Sequence, residues 1–218
     1  MAVNLAELVA YCDDLLEISR FDDYCPNGLQ VEAGERVGLL VTGVTASQAL
    51  IDAAVEAGAD ALLVHHGFFW KGESPCIRGL KGRRIGALMR GGVTLLAYHL
   101  PLDAHPQLGN NAQLARVLGF GAVQPPEEGS MIWRGELEPQ LSLERLAQQV
   151  GTALGRTPLA VAGGTAPVRR IAWCSGAAQG YIEKAAALDV DAYLSGEVSE
   201  PTVHLARELG VHYLAAGH

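Results

Sequence analysis

Two adjacent histidines, His65 and His66, end the apolar run Ala61-Leu62-Leu63-Val64. Imidazole is polar and titrates near neutral pH, so burying it without a partner costs free energy. It is also a very common metal ligand. A second polar cluster, His99-Leu100-Pro101-Leu102-Asp103, follows the apolar run Val93 to Tyr98. Two more runs end in Ser195-Gly196-Glu197 and Ala216-Gly217-His218. Neutral imidazoles with carboxylates suit zinc, ferrous iron, manganese or nickel better than calcium, which prefers oxygen ligands throughout. Two such ions roughly 3.5–4 Å apart can activate a water and clamp a substrate oxygen. Each residue also has a plainer reading. A strand-end histidine is commonly hydrogen-bonded to backbone. Asp103 can cap the segment that follows it, and Glu197 can cap a helix starting near Pro201. His105, His204 and His212 lack such a context and read as surface or packing residues. Phe68, Phe69 and Trp70 read as core or interface; a base-stacking platform needs nearby cations, and only Lys71 is close.

The elements that must position these residues alternate. Leu5 to Ile18 has helical spacing. The stretch Asp22 to Gly28 is turn-rich. Val37 to Val44 reads as a buried strand, and Ser47 as the N-cap of a helix over Gln48 to Ala57. Strands are predicted over Ala61–Val64, Val93–Tyr98, Val168–Cys174, Asp191–Leu194 and Val211–Ala215. Helices are predicted over Arg83–Arg90, Asn110–Leu118, Leu141–Leu154, Tyr181–Leu188 and Pro201–Leu209. Strands alternating with helices imply βαβ units and an α/β fold of mostly parallel sheets flanked by helices. In a parallel sheet the strand ends share one edge, where ligands bind. Within a regular strand His65 and His66 point to opposite faces. They converge if the chain leaves the strand there, which Gly67 permits; otherwise each can serve a different metal. Residues 1–120 read as a first α/β lobe. Residues 121–167 are proline-rich and read as an insertion or small lobe, and 168–218 as a second α/β segment.

Composition narrows the function. The 218 residues are 49% hydrophobic and 18% charged, which favours a compact protein with much buried surface. No apolar stretch is long enough for a transmembrane helix, and the acidic opening segment reads as an amphipathic helix rather than a signal peptide. The four cysteines are widely spaced without a CxxC pair, which points to a reducing, cytoplasmic setting. A formal net charge of −8 argues against non-specific nucleic-acid binding. The basic stretch Arg78 to Arg90 reads as a solvated helix face.

The ordered set Val41-Thr42-Gly43-Val44-Thr45-Ala46-Ser47, Val64-His65-His66-Gly67, His99 to Asp103, Gly109-Asn110-Asn111, Ser195-Gly196-Glu197 and Ala216-Gly217-His218 resembles the Nif-three-like dinuclear metal-centre family. Members of that family are also labelled GTP cyclohydrolase I type 2 homologues, and the likeness is to its short bacterial YbgI branch. The resemblance implies a two-lobed fold, a ring-shaped homohexamer and two divalent metal ions per subunit, of iron, zinc or manganese. By position it implies His65, His66, Asp103 and His218 as metal ligands. His99 matches a histidine beside the centre and Glu197 a carboxylate near the same pocket, both with catalytic roles; Asn111 matches a recurrent asparagine. The family pattern continues with a glutamate four residues past Gly-His and a C-terminal segment. The resemblance thus implies that the ligand set within these 218 residues is incomplete and its metal occupancy low.

The expected activity is metal-dependent hydrolysis. A bound ion lowers the pKa of a water, and His99 shuttles a proton or orients a ligand. The family label directs attack to a purine imidazole carbon, but no GxxxxGK[ST] pattern identifies a nucleotide, so a small nucleotide and a phosphoester both fit. A ring-shaped interaction or scaffold protein with a structural or regulatory metal is the alternative. Metal storage or sensing is a third. No membrane partner is expected.

Overall fold

The structure, a computed structural model, describes residues 2–127 and 130–218. Position 1 of the opening segment and positions 128–129 of segment 121–167 lie outside the described residues. The chain forms two compact units, one up to Leu102 and one from Asp103 to His218.

In the first unit the elements are β1 (Val3–Asn4), α1 (Leu5–Leu15), β2 (Gly28–Val31), β3 (Arg36–Val37), β4 (Leu40–Thr45), α2 (Gln48–Glu56), β5 (Ala61–His66), α3 (Gly79–Gly91) and β6 (Thr94–Ala97). Strands β4, β5 and β6 are parallel, and β2 adds to β6 antiparallel, in the order β2-β6-β5-β4. Alternate residues face opposite sides. Leu62, Val64 and Leu95 pack with Ile51, Ile85 and Leu88 of α2 and α3. Ala61, Leu96 and Tyr98 pack with Leu5 and Leu16 on the α1 side. Ser47 caps α2, its hydroxyl accepting from the Leu50 N–H at 3.2 Å. The strand expected over Val37 to Val44 is broken in two. The N–H groups of Gly38 and Leu39 both donate to Asp60 Oδ2 at 2.8 Å, which takes the chain out of the ladder between β3 and β4.

Helix α4 (Leu100–Ala104) carries the chain into the second unit. There follow α5 (Asn110–Leu118), β7 (Gly121–Gln124), β8 (Trp133–Leu141), α6 (Leu143–Leu154), β9 (Leu159–Val161), β10 (Val168–Cys174), α7 (Ile182–Ala186), β11 (Ala192–Ser195), α8 (Glu200–Leu209) and β12 (His212–Ala215). Their sheet runs β7-β8-β10-β11-β12-β9, with β10, β11 and β12 parallel and the other three antiparallel. Helices α5 and α6 cover one face through Leu118, Leu146 and Val150 against Ile171, Trp173 and Leu194. Helices α7 and α8 cover the other through Ile182, Ala185 and Ala206 against Tyr193 and Tyr213. Segment 121–167 thus supplies β7, β8, β9 and α6 to this unit.

The four- and six-stranded sheets are mixed and β1 pairs β3 antiparallel, which corrects the expectation of mostly parallel sheets. The parallel strands β5, β6, β10, β11 and β12 are largely buried and read as apolar runs, whereas β4 lies at a sheet edge without a buried residue, which corrects the expectation of a buried strand there. β2, β7 and β9 are short edge strands of three or four residues, and β7 is exposed throughout. Edge strands of this kind carry no apolar periodicity to detect. Within each unit the parallel strands end level: Thr45 lies opposite His66, and Cys174, Ser195 and Ala215 lie side by side. The residues after those ends are therefore brought together.

Burial separates the four cysteines. Cys76 is exposed, whereas Cys25 and Cys174 are buried. Burial, with Asp23 or Asp103 nearby, pushes each of those two thiols up to about 12. Thiolate is the reactive form. A disulfide reagent at about pH 8 is expected to label one thiol rapidly in the native protein and all four in denaturant. Cys76→Ser is expected to abolish the fast phase; rapid labelling of Cys174 would contradict the packing.

Candidate metal centre

β5 keeps its pairing through His66, so both histidines belong to the strand. The expectation that they converge only by leaving the strand is corrected. The β5–β6 ladder ends at Val64 and Ala97, so the last two residues of β5 are paired on the β4 side alone. The rings of His65 and His66 lie 4.5 Å apart between centroids, and His99, just past β6, places its ring 5.0 Å from one and 5.7 Å from the other. One ligand atom from each of the three falls within 4.8 Å of the others. Gly67 is required for close approach rather than for a bend. A Cβ there would sit 2.2 Å from Gln30 Oε1 and 2.7 Å from the Ala97 Cβ.

Hydrogen bonds set which nitrogen each ring can offer. His65 Nδ1 lies 2.9 Å from the Tyr98 carbonyl oxygen. A carbonyl only accepts, so Nδ1 carries the proton and the lone pair of the neutral ring is on Nε2. His99 Nδ1 lies 2.7 Å from Asp23 Oδ1. His66 Nδ1 meets the Thr45 hydroxyl at 3.1 Å. Burial pushes the Asp23 carboxyl up. Hydrogen bonds from His99, Asn27 and the Leu100 N–H, with the charge of His99, outweigh that and hold it at about 2. Trp70 stands beside the rings, its centroid 5.0 Å from His99 and 5.9 Å from His66. Phe68 is core, as expected, but Trp70 is part of this site. Three imidazoles whose ligand atoms converge, two of them with the Nδ1 proton committed to oxygen, fit a borderline divalent cation such as zinc or iron.

In the second unit Asp103 is buried. Its Oδ1 accepts from Asn110 Nδ2 at 2.8 Å and from the Ser175 hydroxyl at 3.0 Å. Asn111, fully buried, ties this corner together. Its Nδ2 donates to the Asp103 carbonyl at 3.3 Å, its Oδ1 accepts the Ser175 N–H at 2.8 Å, and its carbonyl accepts Trp173 Nε1 at 3.0 Å. Asn111 therefore has a structural role that its sequence position alone did not disclose. Glu197 and His218 meet: His218 Nδ1 lies 2.9 Å from Glu197 Oε1, and a Cβ on Gly176 would lie 3.4 Å from His218 Nε2. Among the other histidines, His212 is a packing residue. Its Nε2 donates to the Ala166 carbonyl and its Nδ1 accepts the Gly163 N–H. His105 accepts two backbone N–H groups, and His204 pairs with Glu200 on one helix face.

Sequence reasoning missed Asp23, Asn27, Ser175 and Trp70. The polar turn Asp22 to Gly28 carried the one local signal, an Asp and an Asn four apart with no apolar periodicity around them. Ser175 followed an apolar run just as His65 does, but a serine in a turn is too common to stand out.

Two outcomes are expected. A carboxyl depressed in the folded state stabilises fully above its ordinary value of 3.8, and that stabilisation is lost as pH falls through the folded value. Metal-free wild type should therefore exceed Asp23→Asn in denaturant midpoint at about pH 6, with the gap narrowing between about pH 4 and pH 2; a gap unchanged by acid would contradict the assignment. Asn111→Ala leaves a buried N–H and carbonyl without their partners and should cost about 1–3 kcal/mol in the same assay.

The Duf34/NIF3 (NGG1p interacting factor 3) family pattern matches residues 3–218. A GTP cyclohydrolase 1 type 2 homolog from Pseudomonas aeruginosa is 57% identical over 221 residues, spanning 100% of this chain and 87% of that protein. The protein of the same name from Escherichia coli K12 is 51% identical, spanning 97% of this chain and 85% of its own. Among solved structures, protein ybgI, described as of unknown function, superposes with a TM-score of 0.95 at 50% identity, covering 99% of this chain and 87% of that one. TTHA1606 from Thermus thermophilus gives 0.89 at 37% identity over the same shares of both chains. On these grounds, and on the order of its His-His, His-to-Asp and Gly-His motifs, this chain belongs to the Duf34/NIF3 family.

Proposed function

We infer that this chain is a divalent-metal-binding, hydrolase-like protein. His65 and His66 are its primary ligands, and Asp103 and His218 are further ligands of a dinuclear centre, as the family pattern implies. The observation that carries the reading is the convergence of ligand atoms from His65, His66 and His99 within 4.8 Å. A divalent ion held there supplies Lewis acidity and brings the pKa of a coordinated water toward neutrality.

The chain's own groups do the rest. The Tyr98 carbonyl orients His65, and the Thr45 hydroxyl orients His66. His99, with its proton held at Nδ1, presents Nε2 beside His65 and His66, where it would join them in holding the ion or take a proton from a nucleophile. Asn110 and Ser175 hold the Asp103 carboxylate, and Glu197 holds His218. Trp70 offers an aromatic wall beside the imidazoles. The name of the relatives, GTP cyclohydrolase 1 type 2 homolog, directs the search to nucleotides, with phosphoesters beside them. A homohexamer in the cytoplasm completes the reading; the four free cysteines fit a reducing compartment, and among the described residues no helix is long and apolar enough to cross a membrane.

Element-resolved metal analysis tests the centre. Wild-type protein supplied with zinc(II), iron(II) or manganese(II) is expected to bind the ion, and His65→Ala and Asp103→Ala to weaken binding by roughly 100-fold or more, beyond the usual cost of losing a supporting group. Turnover of a nucleotide and phosphoester panel should fall with the same substitutions. Turnover indifferent to both overturns the hydrolase reading, and tight metal in a closed ligand shell without turnover favours a structural or scaffold role. Trp70 should report loading. Titration with cobalt(II) is expected to quench wild-type fluorescence and to quench Trp70→Phe less, because Trp70 is the indole that stands against His66 and His99.

A further inference from the structure

Asp23 lies outside every motif that carries the family likeness, yet it is the most fully bonded carboxylate near the histidines. Its side chain is 3% exposed. Oδ1 accepts the Tyr24 N–H at 2.6 Å and His99 Nδ1 at 2.7 Å; Oδ2 accepts Asn27 Nδ2 at 2.8 Å and the Leu100 N–H at 2.9 Å. A carboxylate has about four lone-pair sites, and here all four are taken. Asn27 closes the ring, its Oδ1 accepting the backbone N–H of His99 at 2.7 Å. The imidazole of His99 and its own main chain are thus tied to one turn by two side chains.

Asp23, Cys25 and His99 also form a group with ligand-atom spacing. One observation argues against a separate metal site there: the four acceptor positions of Asp23 are all taken by hydrogen bonds. Asp23 is instead a support for His99.

We propose that Asp23, braced by Asn27, is the positioning residue of the histidine cluster: it fixes His99 as the Nδ1–H tautomer, so that Nε2 is the nitrogen His99 offers at the His65–His66 site. The tautomer assignment stands on geometry alone, and its consequence for the site rests on the metal-binding reading above. An ionised carboxylate has no proton to give, so the proton in the 2.7 Å contact belongs to the ring. Without that acceptor, a neutral imidazole distributes its proton between two nitrogens, and the ring is free to turn. Carboxylate–imidazole pairs of this kind typically change metal affinity by roughly 10–100-fold when removed.

The test is long-range proton–nitrogen correlation NMR on full-length, metal-free protein labelled at histidine, with zinc(II) affinity measured alongside. His99 in the wild type is expected as a single Nδ1–H tautomer. Asp23→Ala should show a mixture or the Nε2–H form and bind zinc(II) roughly 10–100-fold more weakly. Asp23→Asn keeps one acceptor oxygen for Nδ1–H and should retain the wild-type tautomer with an affinity between the two. This rescue separates positioning from a general loss of fold, which a wild-type-like far-UV spectrum also checks. An Nε2–H tautomer in the wild type overturns the proposal, as does an Asp23→Ala protein with unchanged tautomer and affinity. Failure of the wild type to bind zinc(II), iron(II) or manganese(II) overturns the metal reading instead, and the tautomers alone then decide the role of Asp23.

Discussion

A neutral imidazole can offer a lone pair at one ring nitrogen only while its proton is held at the other. That constraint organises this protein. His65 donates an Nδ1–H hydrogen bond to the Tyr98 carbonyl, and His99 donates one to Asp23. His218 meets the Glu197 carboxylate through the same nitrogen. In each case the acceptor lies on a different strand end or turn from the histidine. The rings are therefore ordered only once the sheet has brought those segments together. A carbonyl or a carboxylate in that place also strengthens the ring's remaining lone pair.

The level ends of the parallel strands are what make such pairings available. β4 and β5 end together at Thr45 and His66, and β10, β11 and β12 end together at Cys174, Ser195 and Ala215. Behind them lie the buried cores. Leu62, Leu88, Leu95, Leu146, Ile171 and Trp173 are all fully buried, each such side chain contributing about 1.5–3 kcal/mol over exposure. Ahead of them the chain changes to glycine, serine, histidine and aspartate, and polar groups find partners in turns rather than in ladders. The two units use the same device independently: apolar strands for position, a carboxylate–histidine pair just beyond them.

The carboxylates divide by how they are held. Asp23 is saturated and serves His99, while Asp103 is braced on Oδ1 by Asn110 and Ser175. Such second-layer contacts decide orientation, and in metal and catalytic sites a misplacement of about 1 Å is costly. Asn111 shows the same logic one layer further back, joining the Asp103 main chain to the N–H of Ser175. The chain belongs to the Duf34/NIF3 family; these supporting contacts explain how it holds its histidine and carboxylate side chains.

The amino-acid sequence by itself determined the chemistry-bearing residues and the elements buried on both faces. A short apolar run bounded by turn residues, such as Thr94 to Ala97 after Gly91-Gly92, fits a central strand, and a run that stops abruptly at His-His announces a site. Helix ends were equally legible, because Ser47 and Gly119 have local conformational preferences that need no distant partner. Short edge strands β2, β7 and β9 were not, since an edge strand is stabilised by its neighbour rather than by its own pattern. Nor was the break between β3 and β4, which depends on Asp60 across the sheet. Only the tertiary structure decided that Asp23, far from His99 along the chain, holds its proton, and that Trp70 stands against two imidazoles. A hydrogen bond between residues 76 positions apart leaves no trace in local periodicity, because its energy is realised only when the fold has closed the intervening chain.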